Sequence, residues 1–321
     1  MKLFRASLVS LLCAMTFAIV PARSHAQDFT TQSRAEHSED PFYAPHRHQF
    51  DLLADDTYSF VDPSSIVRRA NSRRTNFPAS AIRLSGDLGL STLQLPATTM
   101  NFWFDNVNAV EFQARYYANY GSSFSTVPLF FNGDRISANQ NLSTGGTRWF
   151  AFDLLYERRL TPLYEGRDEH LPVFLQNWDV RAKFGLEFVY LDFRINDGKP
   201  NFKGFFLTRG RFHERELPIP TLGLEARRVI AGPLKFAVTA QGNWANKWNS
   251  FRSDGGTVDL SQAAFDTHWR IIYDDPELLR GVRPYIGANY SYFKMVANSS
   301  VVKDFIRAEM YGPEFGLTVS F

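Results

Sequence analysis

From about residue 80 onward the chain repeatedly alternates apolar and polar residues over stretches of roughly ten positions. Only an extended strand, with its side-chain period of two, sorts such a pattern onto separate faces. In 179–190, Val180, Ala182, Phe184, Leu186, Phe188 and Tyr190 share one face, and Arg181, Lys183, Gly185 and Glu187 the other. Residues 109–120 set Val110, Phe112, Ala114 and Tyr116 against Glu111, Gln113 and Arg115. The same sorting recurs in 234–244 and 265–273, where Trp269 and Ile271 oppose Asp266, His268 and Arg270. A helical period would scatter these charges around a cylinder. After residue 26 no apolar run approaches the ~18 residues of a spanning helix.

The pattern predicts ten strands, at 80–91, 98–105, 108–119, 147–157, 179–192, 218–229, 233–245, 264–274, 283–295 and 309–321. Their connections alternate in length. Segments 105–108, 231–233 and 274–276 are short and rich in turn formers, whereas 121–146, 196–217, 246–263 and 297–308 are longer and polar. Alternating short turns and long loops describe an up-and-down barrel with both termini at one end, which requires an even strand number. Two connections strain this register: 158–178 is long for the turn side, and 92–97 is short for the loop side. Eight or twelve strands therefore stay open.

The two ends add location. Lys2 and Arg5, the apolar stretch 6–20 and the small residues at Ser24 and Ala26 read as a signal peptide over 1–26, cleaved before Gln27. Cleavage removes Lys2, Arg5 and Arg23 and no acid, so 35 bases against 33 acids become 32 against 33. A basic nucleic-acid footprint is thereby excluded. Cys13, the single cysteine, leaves with that segment, which removes disulfides and a cysteine nucleophile from consideration. Segment 27–78 is polar, with His37, His46, His48, Arg68, Arg69, Arg73 and Arg74, and is expected to be a partly disordered periplasmic N-terminal extension, with a folded plug as the alternative. At the other end Tyr311, Pro313, Phe315, Leu317, Val319 and Phe321 share one face.

This terminal strand resembles the closing strand of bacterial outer-membrane β-barrels, and 79–321 as a whole resembles the small OmpA-like type. The resemblance implies that Tyr311, Phe315, Leu317, Val319 and Phe321 form the signal read by the barrel-assembly machinery. It implies outer-membrane lipids as the surrounding partner. The expected fold class is all-β, a transmembrane antiparallel up-and-down β-barrel. Aromatics at 15 %, 30 of them Phe, suit a wall facing lipid. Trp103, Trp149, Trp178, Trp244, Trp248 and Trp269 lie near expected strand ends, where lipid-facing rings would sit at the membrane interface.

Fold alone does not choose among the enzymes, channels and anchors built on such barrels. No Gly-x-Ser-x-Gly elbow, His-x-Ser pair, phosphate loop or dinucleotide fingerprint is present. No catalytic residue, cofactor or metal site is therefore expected. His268 faces the lumen between Asp266 and Arg270, a spacing that suits an ion-pair network better than a catalytic base. His213, next to Glu214, falls in an expected loop. Inward positions carry Arg83, Arg115, Arg181, Lys183, Arg227, Lys235 and Arg270 against Asp87, Glu111, Asp153, Glu157, Glu187, Glu225, Asp266 and Glu314. An ion pore displays one sign along its path; this set is balanced. The expected lumen network comprises Glu111, Arg115, Asp153, Arg181, Lys183, Glu187, Glu225, Arg227, Asp266, His268 and Arg270. Pairing among these groups would close the barrel, giving a structural or envelope-organising role, with a narrow passive channel as the alternative and an outer-membrane enzyme as the third reading. On this reading Glu187→Gln strands an opposite charge.

Overall fold

The computed structural model describes residues 50–71, 78–105, 107–117, 121–145, 147–160, 178–200, 206–212, 218–249, 259–275, 281–298 and 302–321. Among these residues the secondary structure is all strand, in chain order β1 (Phe50–Val61), β2 (Ile66–Asn71), β3 (Ile82–Arg83), β4 (Thr92–Trp103), β5 (Asn108–Tyr117), β6 (Ser122–Ser125), β7 (Leu129–Phe131), β8 (Asp134–Ile136) and β9 (Gln140–Ser143). There follow β10 (Arg148–Arg159), β11 (Asp179–Pro200), β12 (Phe206–Phe212), β13 (Ile219–Ala231), β14 (Leu234–Asn249), β15 (Asp259–Tyr273), β16 (Val282–Asn298) and β17 (Val302–Ser320). Ten of them form the wall, in the order β1-β4-β5-β10-β11-β13-β14-β15-β16-β17. Strand β17 then pairs antiparallel with β1, from Asp51↔Ser320 to Val61↔Met310, and the sheet closes. Closure satisfies the edge hydrogen bonds that an open sheet would leave exposed.

The turns at the end carrying Phe50 and Ser320 are tight for local reasons. Between β4 and β5 the Asp105 carboxylate accepts the backbone N–H groups of Val107 and Asn108, both at 2.7 Å. Between β13 and β14 the chain reverses at Gly232, whose φ of 52° suits the first turn position, followed by Pro233. We call this the terminal end and the opposite mouth the loop end.

Ten wall strands match the expected number, but the first member differs. The wall begins with Phe50–Val61, inside the stretch 27–78 expected as an extension. The adjacent Asp55 and Asp56 put one carboxylate on each face of β1, and Leu53 faces inward, so period two is obscured there. Conversely, the expected strand 80–91 is no wall strand. Only Ile82–Arg83 is extended, and turns run from Leu84 to Leu88. Its alternating Ile82, Leu84, Leu88 and Leu90 are apolar because they are buried at the loop end. The troublesome short loop 92–97 disappears, since Thr92–Trp103 is one strand and the first loop-end connection spans 62–91. The loop expected over 297–308 also shrinks, because β16 and β17 pair as far as Asn298↔Lys303. The signal peptide, His37, His46, His48, His170, His213 and most of 158–178 lie outside the described residues.

Candidate functional site: the barrel interior

The interior has two unlike halves. At the loop end, β2, β3 and the β7–β8 hairpin turn into the mouth and pack on the inward residues of the wall. Val67, Ile82, Phe131 and Ile136 are fully buried there against Leu93, Leu95, Trp149, Leu191, Ile306 and Met310. Tyr117 stacks on Trp149 with centroids 4.1 Å apart, and Phe293 leans on the same indole at 4.8 Å. This is a close-packed hydrophobic plug, of the kind found in the core of a soluble domain. Trp103 and Trp149, expected to face outward, are buried inside because they share parity with the inward residues of β4 and β10. Trp244 and Trp269 do face outward.

Below the plug, ionisable side chains line the lumen and pair with one another. Arg115 of β5 reaches Asp153 of β10 at 3.0 Å, Glu187 of β11 at 3.3 Å and, across the lumen, Asp266 of β15 at 2.7 Å. Gln241 adds a 3.4 Å donor to Asp153. Next, Lys183 contacts Glu111 at 2.6 Å, Glu225 at 3.0 Å and Glu157 at 3.7 Å. Arg181 joins Glu157 (2.8 Å) to Asp179 (3.0 Å), and Arg159 also binds Asp179 at 2.5 Å. Arg227 donates to Glu225. The Arg181 guanidinium lies 4.8 Å from the Trp103 ring centre. On the facing wall Arg270 contacts Glu314 at 2.5 Å and Asp55 at 3.7 Å, and stacks over Tyr285. Glu314 also receives His268 Nδ1 at 2.8 Å.

All eleven residues of the expected lumen set therefore line the interior, in three clusters. His268 belongs to an ion-pair cluster with Arg270, Glu314, Asp55 and the Tyr285 hydroxyl. Two expected inward charges sit elsewhere: Arg83 and Asp87 pair with each other at 3.1 Å on the segment before β4. Sequence reasoning missed Asp51, Asp55, Arg159, Asp179 and Arg283. Asp179 and Arg159 share the inward parity of Arg181 and Glu157, so that signal was present; Asp51 and Asp55 were lost with β1. Burial raises the stakes of this network, because an ion left unpaired away from water is expensive. Among the described residues, no three His, Cys, Asp or Glu side chains are arranged to hold a metal ion.

Toward the terminal end the charges stand back around a cavity of about 390 Å³. Asp51, Arg227, Lys235, Asp274 and Arg283 form its outer margin. They are paired as Arg283–Asp51 at 3.0 Å and Lys235–Asp274 at 2.7 Å, with each cation a fifth or so exposed.

No protein-family model matches the chain, and no curated protein matches it. Solved structures with a similar trace are outer-membrane proteins. The Pseudomonas aeruginosa outer membrane protein OprG is 10 % identical, with 84 % of this chain and 95 % of that one covered and a TM-score of 0.30. The transport unit of the Escherichia coli autotransporter AIDA-I is 8 % identical over 86 % and 91 %, with a TM-score of 0.34. The Yersinia pestis attachment invasion locus protein Ail is 8 % identical over 83 % and 98 %, with a TM-score of 0.25. Similarity this low places the chain in no family, and its role has to be read from its own geometry.

Proposed function

We propose that this chain is an outer-membrane β-barrel with a structural or envelope-organising role, closed to solute flow. Support for the membrane comes from the outer wall, where Phe102, Phe184, Leu222, Leu224, Trp244, Ile286 and Phe315 are all at least half exposed. A continuous apolar band of this kind is not tolerated in water and is the natural surface of a barrel in lipid. Export through a cleaved segment 1–26 and insertion guided by Tyr311, Phe315, Leu317, Val319 and Phe321 belong to the same reading. The terminal end then faces the periplasm and the plug faces outward.

The observation that carries closure is the double obstruction of the lumen: a hydrophobic plug above and cross-lumen ion pairs such as Arg115–Asp266 below. Either layer alone would impede ions, and on this reading the two together block a steady current. The test is conductance of the refolded protein in planar bilayers. Wild type is expected to be silent, and a large steady ohmic current would refute closure. The alternative, a narrow passive channel, draws on the terminal-end cavity of about 390 Å³. It predicts small conductance steps in wild type, enlarged by Phe131→Ala, which loosens the plug.

A further inference from the structure

The terminal-end cavity has a hollow in its wall. Across β13, β14 and β15 the inward residues stand in rows fixed by the register. Arg227 pairs with Ala237, and Ala237 with Arg270. One step deeper Thr239 lies between Glu225 and His268, and one step nearer the mouth Lys235 is level with Ile272. Neighbouring strands are about 4.8 Å apart, so Arg227 and Arg270 rise from positions roughly 10 Å apart, with only the methyl group of Ala237 between them. Ala237 and the cations around it line the cavity, whose volume of about 390 Å³ is within the range of small-molecule sites.

The rim of the hollow has donors to spare. A guanidinium carries five N–H groups in a planar fork. Arg227 donates through Nε to Glu225, and Arg270 through Nε and Nη2 to Glu314. Among the described residues no acceptor takes Arg227 Nη1, Arg227 Nη2 or Arg270 Nη1, and none of these atoms is sealed from solvent. The Arg227 side chain is a quarter exposed. The neighbouring carboxylates, by contrast, are occupied: Glu225 also holds Lys183, Glu314 also holds His268, and Asp274 holds Lys235. With Nδ1 on Glu314, the other ring nitrogen of His268 accepts a proton from a P–OH group when the ring is neutral and donates when it is charged. A compact group with several acceptor oxygens and negative charge satisfies this rim. Phosphate has that chemistry, and arginine binds it bidentately.

We propose that the hollow over Ala237 binds the phosphate group of a small phosphomonoester, with Arg227 and Arg270 clamping its oxygens and Lys235 at the entrance. The cavity lies at the end of the barrel, so a soluble ester reaches it directly; a lipid headgroup carries the same group. The site needs the folded barrel but not a closed lumen. The full chain is refolded in detergent micelles in phosphate-free buffer, and its heat-modifiable gel band reports folding for every variant. Calorimetric titration then uses glycerol 3-phosphate, inorganic phosphate, acetate and dihexanoyl phosphatidic acid. The two soluble phosphates should bind saturably at one site per chain, and acetate about tenfold more weakly or worse. Arg227→Gln should weaken phosphate binding by about tenfold, the worth of a hydrogen bond to a charged group. Ala237→Leu keeps every charge but fills the hollow, and should abolish binding. Arg228→Gln removes the same charge from the exposed outer face of β13 and should leave binding unchanged. Saturable binding of phosphatidic acid without the soluble phosphates would support the clamp and make a lipid headgroup its source. No saturable binding of any phosphate probe by heat-modifiable wild type would overturn the site. So would binding that survives both Arg227→Gln and Ala237→Leu, an equal loss in Arg228→Gln, or acetate binding as tightly as phosphate. A chain without a heat-modifiable band would instead count against the barrel reading itself.

Discussion

Arg115→Met is the most informative change in the barrel interior. Arg115 is 9 % exposed, and its guanidinium is the cation shared by Asp153, Glu187 and Asp266. At an effective dielectric constant of about 20, unit charges 2.7 Å apart attract by roughly 6 kcal/mol, most of which offsets the desolvation of both ions. Removing the cation does not return its partners to water. Asp153 keeps only Gln241, and Glu187 Oε2 already has no hydrogen-bond partner. Three carboxylates in one cross-section then repel without compensation, and the expected loss is about 3–5 kcal/mol. Glu187→Gln should strand less charge than the sequence pattern alone suggests, because Arg115 would still hold Asp153 and Asp266. The double variant Arg115→Met/Glu187→Gln should accordingly recover part of the loss. Equilibrium denaturant unfolding in lipid vesicles measures all three against wild type. An Arg115→Met cost below ~1 kcal/mol, the range of exposed pairs, would refute the claim that this network is desolvated.

The same geometry sets three further outcomes. Phe184 is half exposed on the outer face, and Phe184→Arg should lower stability by about 2–4 kcal/mol in vesicles, against a much smaller effect in a soluble protein. Deleting Phe321, at the end of the outward row with Phe315, should reduce the heat-modifiable protein recovered in the outer membrane; unchanged recovery would count against the assembly signal. In the β4–β5 turn, hydrogen bonds from the Asn108 side chain and the Val107 backbone hold the Asp105 carboxyl below its usual range. A depressed folded-state value stabilises the turn above the ordinary carboxyl range and loses that contribution as pH falls through the folded value. Asp105→Asn should remove this acid-limb dependence from the denaturation midpoint.

The all-β class, the closed wall of ten strands and the inward parity of β5, β10, β11, β13, β14 and β15 were legible because a lipid-facing wall must separate apolar from polar at every second residue. The same parity identified Glu111, Arg115, Asp153, Arg181, Lys183, Glu187, Glu225, Arg227, Asp266, His268 and Arg270 as interior. It failed where that separation is relaxed. In β1 the outward Asp56 disturbs the pattern, and before β4 Leu84, Leu88 and Leu90 are apolar because they enter the barrel, not because they face out of it. A one-dimensional pattern registers that a residue avoids water, but not on which side of the wall it does so. That ambiguity hid the part that Ile82, Leu84, Leu88 and Leu90 play in the plug and turned Trp103 and Trp149 the wrong way. Only the tertiary structure decides which carboxylates meet which cations, since Arg115–Asp266 and Arg283–Asp51 join strands 151 and 232 residues apart in the chain. Strand alternation depends on each residue's own preference for water or for an apolar surface, which its identity carries. Ion-pair partners depend on the closure of the sheet, which no single strand encodes.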